Sequence, residues 1–418
     1  MSTPAAVPVG PASPVPAAAR IVALDLLRGF ALFGVLWSNL NDWYGTTGPI
    51  SLVDKALSTL QYSVIESRFY SILGVVFGVG FAIQLGKAAE PGATVAVFRR
   101  RMLALLAFGI AHVLLLWSGD ILIQYALLGF ILVLFRDLQP RQIVKALGVI
   151  WLVVPYVIAL IRRTLHLQMV PFPPQGLHDW LYANGSWSQI FSVRIGDWLN
   201  WYGRWPFTVF PNFLVLFLFG LWAWRTGMVD WLGDRRFLKR CLVISFGMIG
   251  LSLALGLPIQ AIWPWPEHPP TDWHTFAFWN PVWNILGALG DLLTWGVAGV
   301  YASLLLLAAT RQRGARVLAP LATLGRMPLT TYLTQSLVCT TLFYGFGSGW
   351  YGKVGWSGML MITCTLFAAQ IVFSGWWLAR YRFGPAEWLW RTLAYGRRQP
   401  MRISPAPAVS SEPLPLPQ

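Results

Sequence analysis

Ten stretches of this sequence are apolar over a length that can cross a lipid bilayer. A hydrocarbon core about 30 Å thick needs roughly 20 helical residues, so the third and fourth stretches are short and are expected to meet at a tight turn. With 56% hydrophobic and only 11% charged residues, the chain is predicted to be an all-α polytopic membrane protein with about ten transmembrane helices. The predicted spans lie at residues 22–41, 67–86, 102–118, 120–136, 143–161, 206–224, 239–258, 281–308, 328–347 and 357–379.

The basic residues are distributed unevenly between the connections of this predicted bundle. If the chain starts in the cytoplasm, 24 of the 31 Lys and Arg residues lie on the cytoplasmic side. This is the positive-inside pattern, so both termini are predicted to be cytoplasmic and the location to be the bacterial inner membrane. The formal charge of +15 therefore reflects orientation. Membrane lipids are expected partners, and nucleic acid is not.

Composition divides the chain into four parts: residues 1–19, 20–224, 225–398 and 399–418. The first and last parts are rich in Pro and small residues and are predicted to be disordered tails. Both middle parts carry transmembrane helices, and the first includes a tryptophan-rich periplasmic loop at 162–205. The tryptophans fit either an aromatic belt at the headgroups or a lid over a sugar or apolar acceptor. From Arg380 to Arg398, Trp and Leu alternate with Arg at helical spacing, which predicts an interfacial helix on the cytoplasmic leaflet.

Several predicted spans contain charged or amide side chains. A charge at the centre of a membrane helix costs on the order of 2.5–3.5 kcal/mol, so each such group needs an explanation. The first span begins with Asp25 and Arg28, which share a helix face and can pair, and it carries Asn39 at its far end. Asp291 lies ten residues into the eighth span. These residues predict a bundle with a polar interior, in which Asp291 has either a structural or a functional role.

His112 is the only histidine inside a predicted span. The turn Ser118-Gly119-Asp120 follows closely, so Asp120 is expected to approach His112 and to cap the fourth helix, with Gln124 one turn beyond. A carboxylate beside an imidazole orients it, as in general base catalysis. The alternative is a capping aspartate and a histidine that only bonds a neighbouring helix. No metal site is predicted, because no His or Cys spacing matches a familiar zinc pattern.

Five blocks of the sequence resemble the bacterial YeiB family. The opening helix of that family is similar to the opening helix of transmembrane acyltransferases, among them the lysosomal heparan-glucosaminide N-acetyltransferases and bacterial sugar O-acyltransferases. The last two blocks resemble the family's domain of unknown function, which places such a domain at 225–398. The blocks are Leu24 to Ala31 with Asn39, Phe69 to Phe81, His112 to Gly129, Leu324 to Ser336, and Arg382 to Arg391.

The resemblance implies transfer of an acyl group from cytoplasmic acyl-CoA to a hydroxyl or amine of a periplasmic glycan or lipid-linked acceptor. It carries over Asp25, Arg28, Gly29 and Asn39. The transmembrane acyltransferases with a similar opening helix have a catalytic histidine at or soon after that helix, whereas residues 39–68 of this chain contain no histidine. The general base is therefore expected at His112.

The functional prediction is an acyltransferase with acyl-CoA as its donor substrate. Cytoplasmic arginines are expected to attract the CoA phosphates, and Asn39, Asp291 and Gln124 are expected to line the cavity that receives the thioester. A transporter or permease that uses Asp291, Asp25 and Arg28 is the alternative, followed by a non-catalytic scaffold; the oligomeric state is open, a homodimer included. The predicted catalytic residues are His112, Asp120, Asn39 and Asp291, and the predicted donor-binding residues are Arg28, Asp25, Gln124 and Arg326.

Overall fold

The computed structural model describes residues 22–44, 51–85, 91–164, 175–204, 206–262 and 273–403. Apart from an isolated bridge between Tyr381 and Arg402, these ranges contain no β-structure, in agreement with the predicted all-α class. The predicted tail at 1–19 lies outside them. The helices are α1 (Val22–Tyr44), α2 (Leu52–Leu60), α3 (Arg68–Leu85), α4 (Pro91–Leu115), α5 (Leu122–Leu132), α6 (Pro140–Leu152), α7 (Val154–Thr164), α8 (Gln175–Asn184), α9 (Trp187–Arg204), α10 (Pro206–Arg225), α11 (Arg235–Ile262), α12 (Trp273–Ala309), α13 (Gln312–Leu324), α14 (Pro328–Phe343), α15 (Trp356–Leu378) and α16 (Pro385–Tyr395). Shorter turns are the π-helix Gln61–Ile65 and the 3₁₀ helices Val133–Phe135 and Met228–Trp231.

Six helical segments among the described residues are long and apolar enough to cross a membrane, which makes the chain a membrane protein. α10 also has an apolar segment, Phe210–Arg225, but this segment is shorter than the six. The predicted spans at 102–118, 120–136 and 328–347 are not among them either. The six segments are Val22–Leu40, Leu52–Leu85, Pro140–Ile161, Arg235–Ile262, Pro281–Ala309 and Trp356–Leu378.

α4 and α5 form a hairpin that turns inside the bundle. His112 at the end of α4 contacts Ser336, which lies eight residues into α14, or about 12 Å along its axis at 1.5 Å per residue. From this level α5 runs back over only 11 residues, roughly 16 Å, which is about half the thickness of a bilayer core. The two predicted spans at 102–118 and 120–136 therefore form one antiparallel hairpin, and its second arm, Leu122–Phe135, is shorter than the six long segments.

α1 and α13 cross with their backbones in contact. A Cβ atom on Gly29 would lie 2.0 Å from the carbonyl oxygen of Leu321, and one on Gly325 would lie 1.8 Å from the carbonyl oxygen of Asp25. Only glycine permits so close an approach at both positions. The crossing places Asp25 beside the turn that joins α13 to α14, which contains Arg326.

α16 packs against other helices instead of only lying on lipid. Its residue Glu387 caps the start of α14, and the Trp390 indole donates a 2.8 Å hydrogen bond to the carbonyl oxygen of Arg101 in α4. The Trp388 indole donates to the carbonyl oxygen of Gln399 at 2.8 Å. Of residues 399–403, predicted as the start of a disordered tail, Gln399 thus contacts α16, while Met401 and Ile403 form backbone hydrogen bonds with Arg382 and Arg380. The remainder of that tail lies outside the described residues.

The predicted loop at 162–205 contains two helices, α8 and α9, which cover the opposite end of the bundle. The backbone nitrogen of Gly345, just beyond the carboxy-terminal end of α14, donates to the carbonyl oxygen of Tyr182 in α8 at 2.8 Å. From α9 the buried Arg194 donates to the carbonyl oxygen of Leu114 in the last turn of α4 at 3.1 Å. α8 and α9 thus cover the α4–α5 hairpin, and part of the predicted loop is built into the bundle.

Candidate functional site

A cavity of about 980 Å³ lies at the end of the bundle where α1 and α14 begin. We call it the arginine cavity, because its lining among the described residues includes seven arginines and two acidic residues. It is bounded by α1, α3, α4, α5, α14 and α16. The arginines are Arg28, Arg101, Arg326, Arg382, Arg391, Arg397 and Arg398.

Both acidic residues of the arginine cavity are engaged in local contacts. Asp25 accepts a 3.0 Å hydrogen bond from Arg28, as the spacing of the two residues predicts. Glu387 accepts hydrogen bonds from the backbone nitrogens of Leu329 at 2.6 Å and Thr330 at 3.0 Å. The wall of the cavity therefore carries a surplus of positive charge, which favours an anionic ligand.

Two arginines of the wall are held against aromatic rings. The guanidinium of Arg101 lies 4.3 Å from the ring centroid of Trp390, and that of Arg391 lies 4.6 Å from the centroid of Phe383. Burial lowers the pKa of Arg101 to about 10, and the nearby charges of Arg391 and Arg28 lower it as well. Arg101 remains cationic at neutral pH, so these like charges form a cluster that a bound anion would stabilise.

The other end of the arginine cavity is apolar and reaches into the bundle. The residues that line this end include Ile121, Leu122, Tyr125 and Tyr332. The Tyr125 hydroxyl is buried and has no hydrogen-bond partner among the described residues. The cavity thus joins a cationic end to an apolar end, with a polar group available at the apolar end. The apolar side chains between the two ends include Leu73, Phe77, Phe98, Met102 and Leu105.

His112 and Asp120 lie together, as the tight turn between their helices predicts. The imidazole Nδ1 is 3.0 Å from Asp120 Oδ1, and both side chains are 0% exposed. The second carboxylate oxygen of Asp120 accepts a 2.7 Å hydrogen bond from the backbone nitrogen of Ile123 at the start of α5. The same carboxylate therefore accepts from the first turn of α5 and lies within ion-pair distance of the imidazole, so the expected approach of Asp120 to His112 is confirmed.

Ser336 lies on the other side of the imidazole, with its Oγ 2.8 Å from His112 Nε2. The three side chains stand in the order Ser336, His112, Asp120, which is the order of a nucleophile, a base and an orienting acid. One turn earlier on α14, the Tyr332 ring lies 5.0 Å from the imidazole, centroid to centroid, and Tyr332 also lines the arginine cavity. Tyr332 therefore separates the cavity from this buried group of three residues.

The residues predicted to hold the donor divide into two groups. Asp25, Arg28 and Arg326 line the arginine cavity. Gln124 is buried but is not part of the described lining, whereas its neighbour Tyr125 is. The sequence prediction missed Tyr125 because an aromatic residue in an apolar helix is typical of ordinary packing.

Asn39, Asp291 and Gln124 were predicted to line one cavity. Neither Asn39 nor Asp291 is among the described residues that line the arginine cavity. Asn39 accepts a hydrogen bond from the hydroxyl of Tyr70. Asp291 accepts hydrogen bonds from the Trp151 indole at 3.0 Å and the Asn212 amide at 2.9 Å. Each of these polar groups is satisfied by a partner on a neighbouring helix, which is the usual arrangement of buried polar groups.

A second polar cluster lies at the opposite end of the bundle, on α8 and α9. Asp197 accepts a 2.6 Å hydrogen bond from the Tyr182 hydroxyl and lies 3.0 Å from His178 Nε2. The hydrogen bond to Asp197 raises the pKa of His178, against the opposing effect of burial. No group of three or more His, Cys, Asp or Glu side chains able to hold a metal ion lies within the described ranges.

The chain is similar to bacterial proteins along most of its length. It is 30% identical to the uncharacterized protein YxaH of Bacillus subtilis (strain 168), over 91% of this chain and 96% of YxaH. It is 28% identical to an uncharacterized 39.9 kDa protein in the amylase 3′ region of Bacillus acidopullulyticus, over 92% and 96% of the two chains. It is 26% identical to the uncharacterized protein YeiB of Escherichia coli (strain K12), over 90% and 96%.

The family model described as a protein of unknown function (DUF418) matches residues 223–397. This region includes α14 and α16, and so contributes Ser336 and Glu387, whereas His112 and Asp120 precede it. The candidate site is thus built from residues of both halves of the sequence. On these grounds the chain belongs to the YeiB-like family, together with YxaH and YeiB, and carries the family's DUF418 region in its carboxy-terminal half.

Proposed function

We propose that this protein is an inner-membrane acyltransferase that binds acyl-CoA in the arginine cavity and passes the acyl group to a hydroxyl or amine acceptor. The observation that carries the proposal is the division of this one cavity into an arginine-rich end and an apolar end. Acyl-CoA has the same division, because its phosphates are anionic and its acyl chain is apolar. Arginine is well suited to phosphate, and the apolar wall suits the chain.

The proposal includes a placement in the membrane. The arginine end faces the cytoplasm, where the positive-inside rule places 24 of the 31 basic residues and where acyl-CoA is available. The six long segments, with the shorter α10 and α14, then make eight crossings, and the α4–α5 hairpin enters and leaves on the cytoplasmic side. Since such a hairpin adds no net crossing, both termini remain cytoplasmic.

His112 is the proposed general base, and Asp120 orients it. At the apolar end of the arginine cavity, the lining residues Ile121 and Leu122 directly follow Asp120 in the chain. A thioester at this end of the cavity lies close to the buried imidazole, with Tyr332 between them. The acceptor, a periplasmic glycan or a lipid-linked molecule, approaches from the end covered by α8 and α9. Asn39 and Asp291 have no part in this proposal.

Binding of acyl-CoA by the purified protein in detergent tests the proposal. We expect palmitoyl-CoA to raise the melting temperature more than CoA or palmitate does, because only the ester fills both ends of the cavity. Arg391→Gln should weaken palmitoyl-CoA binding about 10-fold or more, since a hydrogen bond to a charged group contributes about 1.5–3 kcal/mol. Arg313→Gln, which removes an exposed arginine outside the cavity, is the matched control.

The proposal is wrong if no CoA ester stabilises the protein, or if Arg313→Gln weakens binding as much as Arg391→Gln does. Release of free CoA in the presence of a membrane extract separates an enzyme from a carrier. A transferase releases CoA at a rate that depends on the acceptor, whereas a carrier leaves the ester intact.

A further inference from the structure

We propose that Ser336 is the nucleophile of this protein, and that the acyl group is held on its Oγ as an ester between donor and acceptor. This inference rests on the proposed function and adds a covalent step to it. It assigns a chemical role to a residue of the DUF418 region and makes His112 a base for two successive half-reactions.

The charge of Asp120 sets the tautomer of His112, and so the direction of its hydrogen bond to Ser336; Nδ1 and Oδ1 themselves are close without hydrogen-bond geometry. The Asp120 carboxylate, 3.0 Å from Nδ1, favours the tautomer that carries its proton on that nitrogen. Nε2 is then an acceptor, so the Ser336 hydroxyl, 2.8 Å away, is the donor. A serine that donates to an imidazole base is activated for attack, whereas a serine that only anchored the ring could equally accept from it.

The proposed half-reactions balance in atoms and protons. Ser336 Oγ attacks the thioester carbon while His112 Nε2 takes the hydroxyl proton; the C–S bond breaks, and the proton leaves with the CoA thiol. In the second half-reaction the acceptor hydroxyl or amine attacks the Ser336 ester and gives its proton to His112. The C–O bond to Ser336 breaks, and this proton returns to Oγ, so that the enzyme is regenerated.

The position of Ser336 explains why a covalent step suits this bundle. Ser336 lies about 12 Å from the start of α14, between the arginine cavity at one end and α8 and α9 at the other. An acyl-serine at this depth lets CoA depart toward the arginine end before the acceptor arrives from the other side. Access from the cavity requires movement of Tyr332, which lines the cavity and packs on the imidazole.

Mass spectrometry of the full-length protein after incubation with palmitoyl-CoA and an acid quench tests the inference. We expect a palmitoyl adduct on the peptide that contains Ser336, stable to neutral hydroxylamine as an oxygen ester is, and therefore distinct from a thioester on the nearby Cys339. His112→Ala and Ser336→Ala should lower the adduct at least 100-fold. Ser374→Ala, which removes a buried serine bonded to the carbonyl oxygen of Ile371, should leave it unchanged.

Ser336→Cys tests the inference even if Ser336→Ala fails to fold, because a thiol is close to the hydroxyl in size and can also accept an acyl group. It should give an adduct at position 336 that neutral hydroxylamine removes. If palmitoyl-CoA binds and is turned over by Ser336→Ala at the normal rate, the inference is wrong and the proposed function stands. If no CoA ester binds to the unmodified protein, the proposed function is wrong, and the inference with it.

Discussion

The Glu387 carboxylate lies 2.6 Å from the backbone nitrogen of Leu329, so that α16 closes the amino-terminal end of α14. Pro328 opens α14, and the next two backbone nitrogens, those of Leu329 and Thr330, both donate to this carboxylate. The Thr330 hydroxyl donates to its second oxygen at 2.5 Å. Glu387 thus accepts from backbone N–H groups that have no partner within the first turn of α14, and the contact holds α16 beside the arginine cavity.

Glu387→Ala is therefore expected to lower the free energy of unfolding by about 1–3 kcal/mol, because it leaves buried donors without an acceptor. Thermal unfolding in detergent measures the loss. Glu387→Gln keeps one acceptor oxygen and should lose less than Glu387→Ala. Equal melting temperatures for Glu387→Ala and the unmodified protein would show that the contact contributes nothing.

Gly29→Ala is expected to destabilise the protein, since the new methyl group would meet the backbone of Leu321 at 2.0 Å. Forcing α1 and α13 apart should cost about 1–3 kcal/mol, as overpacking does elsewhere. Gly247→Ala in α11 has nothing within 4 Å of the new methyl group and should be neutral or slightly stabilising. The comparison of the two melting temperatures checks the prediction, and equal shifts for both variants would refute it.

His178 is expected to make stability depend on pH. Its hydrogen bond to Asp197 raises the pKa of the folded-state imidazole, so protonation stabilises the folded protein. The contribution is complete below the unfolded pKa of about 6.5 and is lost as pH rises through the higher folded-state pKa. The difference in melting temperature between the unmodified protein and His178→Gln should thus be largest below about pH 6 and shrink toward pH 8. A difference that stays constant over this range contradicts the assignment.

The contacts that the sequence predicted are those between residues close in the chain. Asp25 and Arg28 are three residues apart on one helix, and helix geometry alone brings them together. His112 and Asp120 are joined by a single short turn, which limits how far apart they can be. In both cases the local geometry leaves few alternatives, so residue spacing was sufficient.

The contacts that were missed depend on how distant helices pack. Ser336 meets His112 across 224 positions, and no pattern in α14 marks this serine among its polar neighbours. Asp291 likewise finds its partners Trp151 and Asn212 on other helices, so its separation from His112 could not be seen in one span. Hydropathy also measures how apolar a segment is and not how long its helix is, so the 11-residue length of α5 could not be predicted from the pattern.

Tyr332→Ala is expected to connect the arginine cavity to His112, because Tyr332 lines the cavity and packs on the imidazole 5.0 Å away. In the unmodified protein His112 is enclosed and should react slowly with diethylpyrocarbonate, whereas the partly exposed His178 is accessible to the reagent. Peptide mass spectrometry should show modification of His112 at least about 10-fold faster in Tyr332→Ala, with His178 as the internal reference. Tyr381→Ala, which removes a ring stacked on Trp377, is the matched control and should leave the His112 rate unchanged. An unaltered rate in Tyr332→Ala would mean that other side chains enclose the imidazole, and the path from the cavity to Ser336 would have to be sought elsewhere.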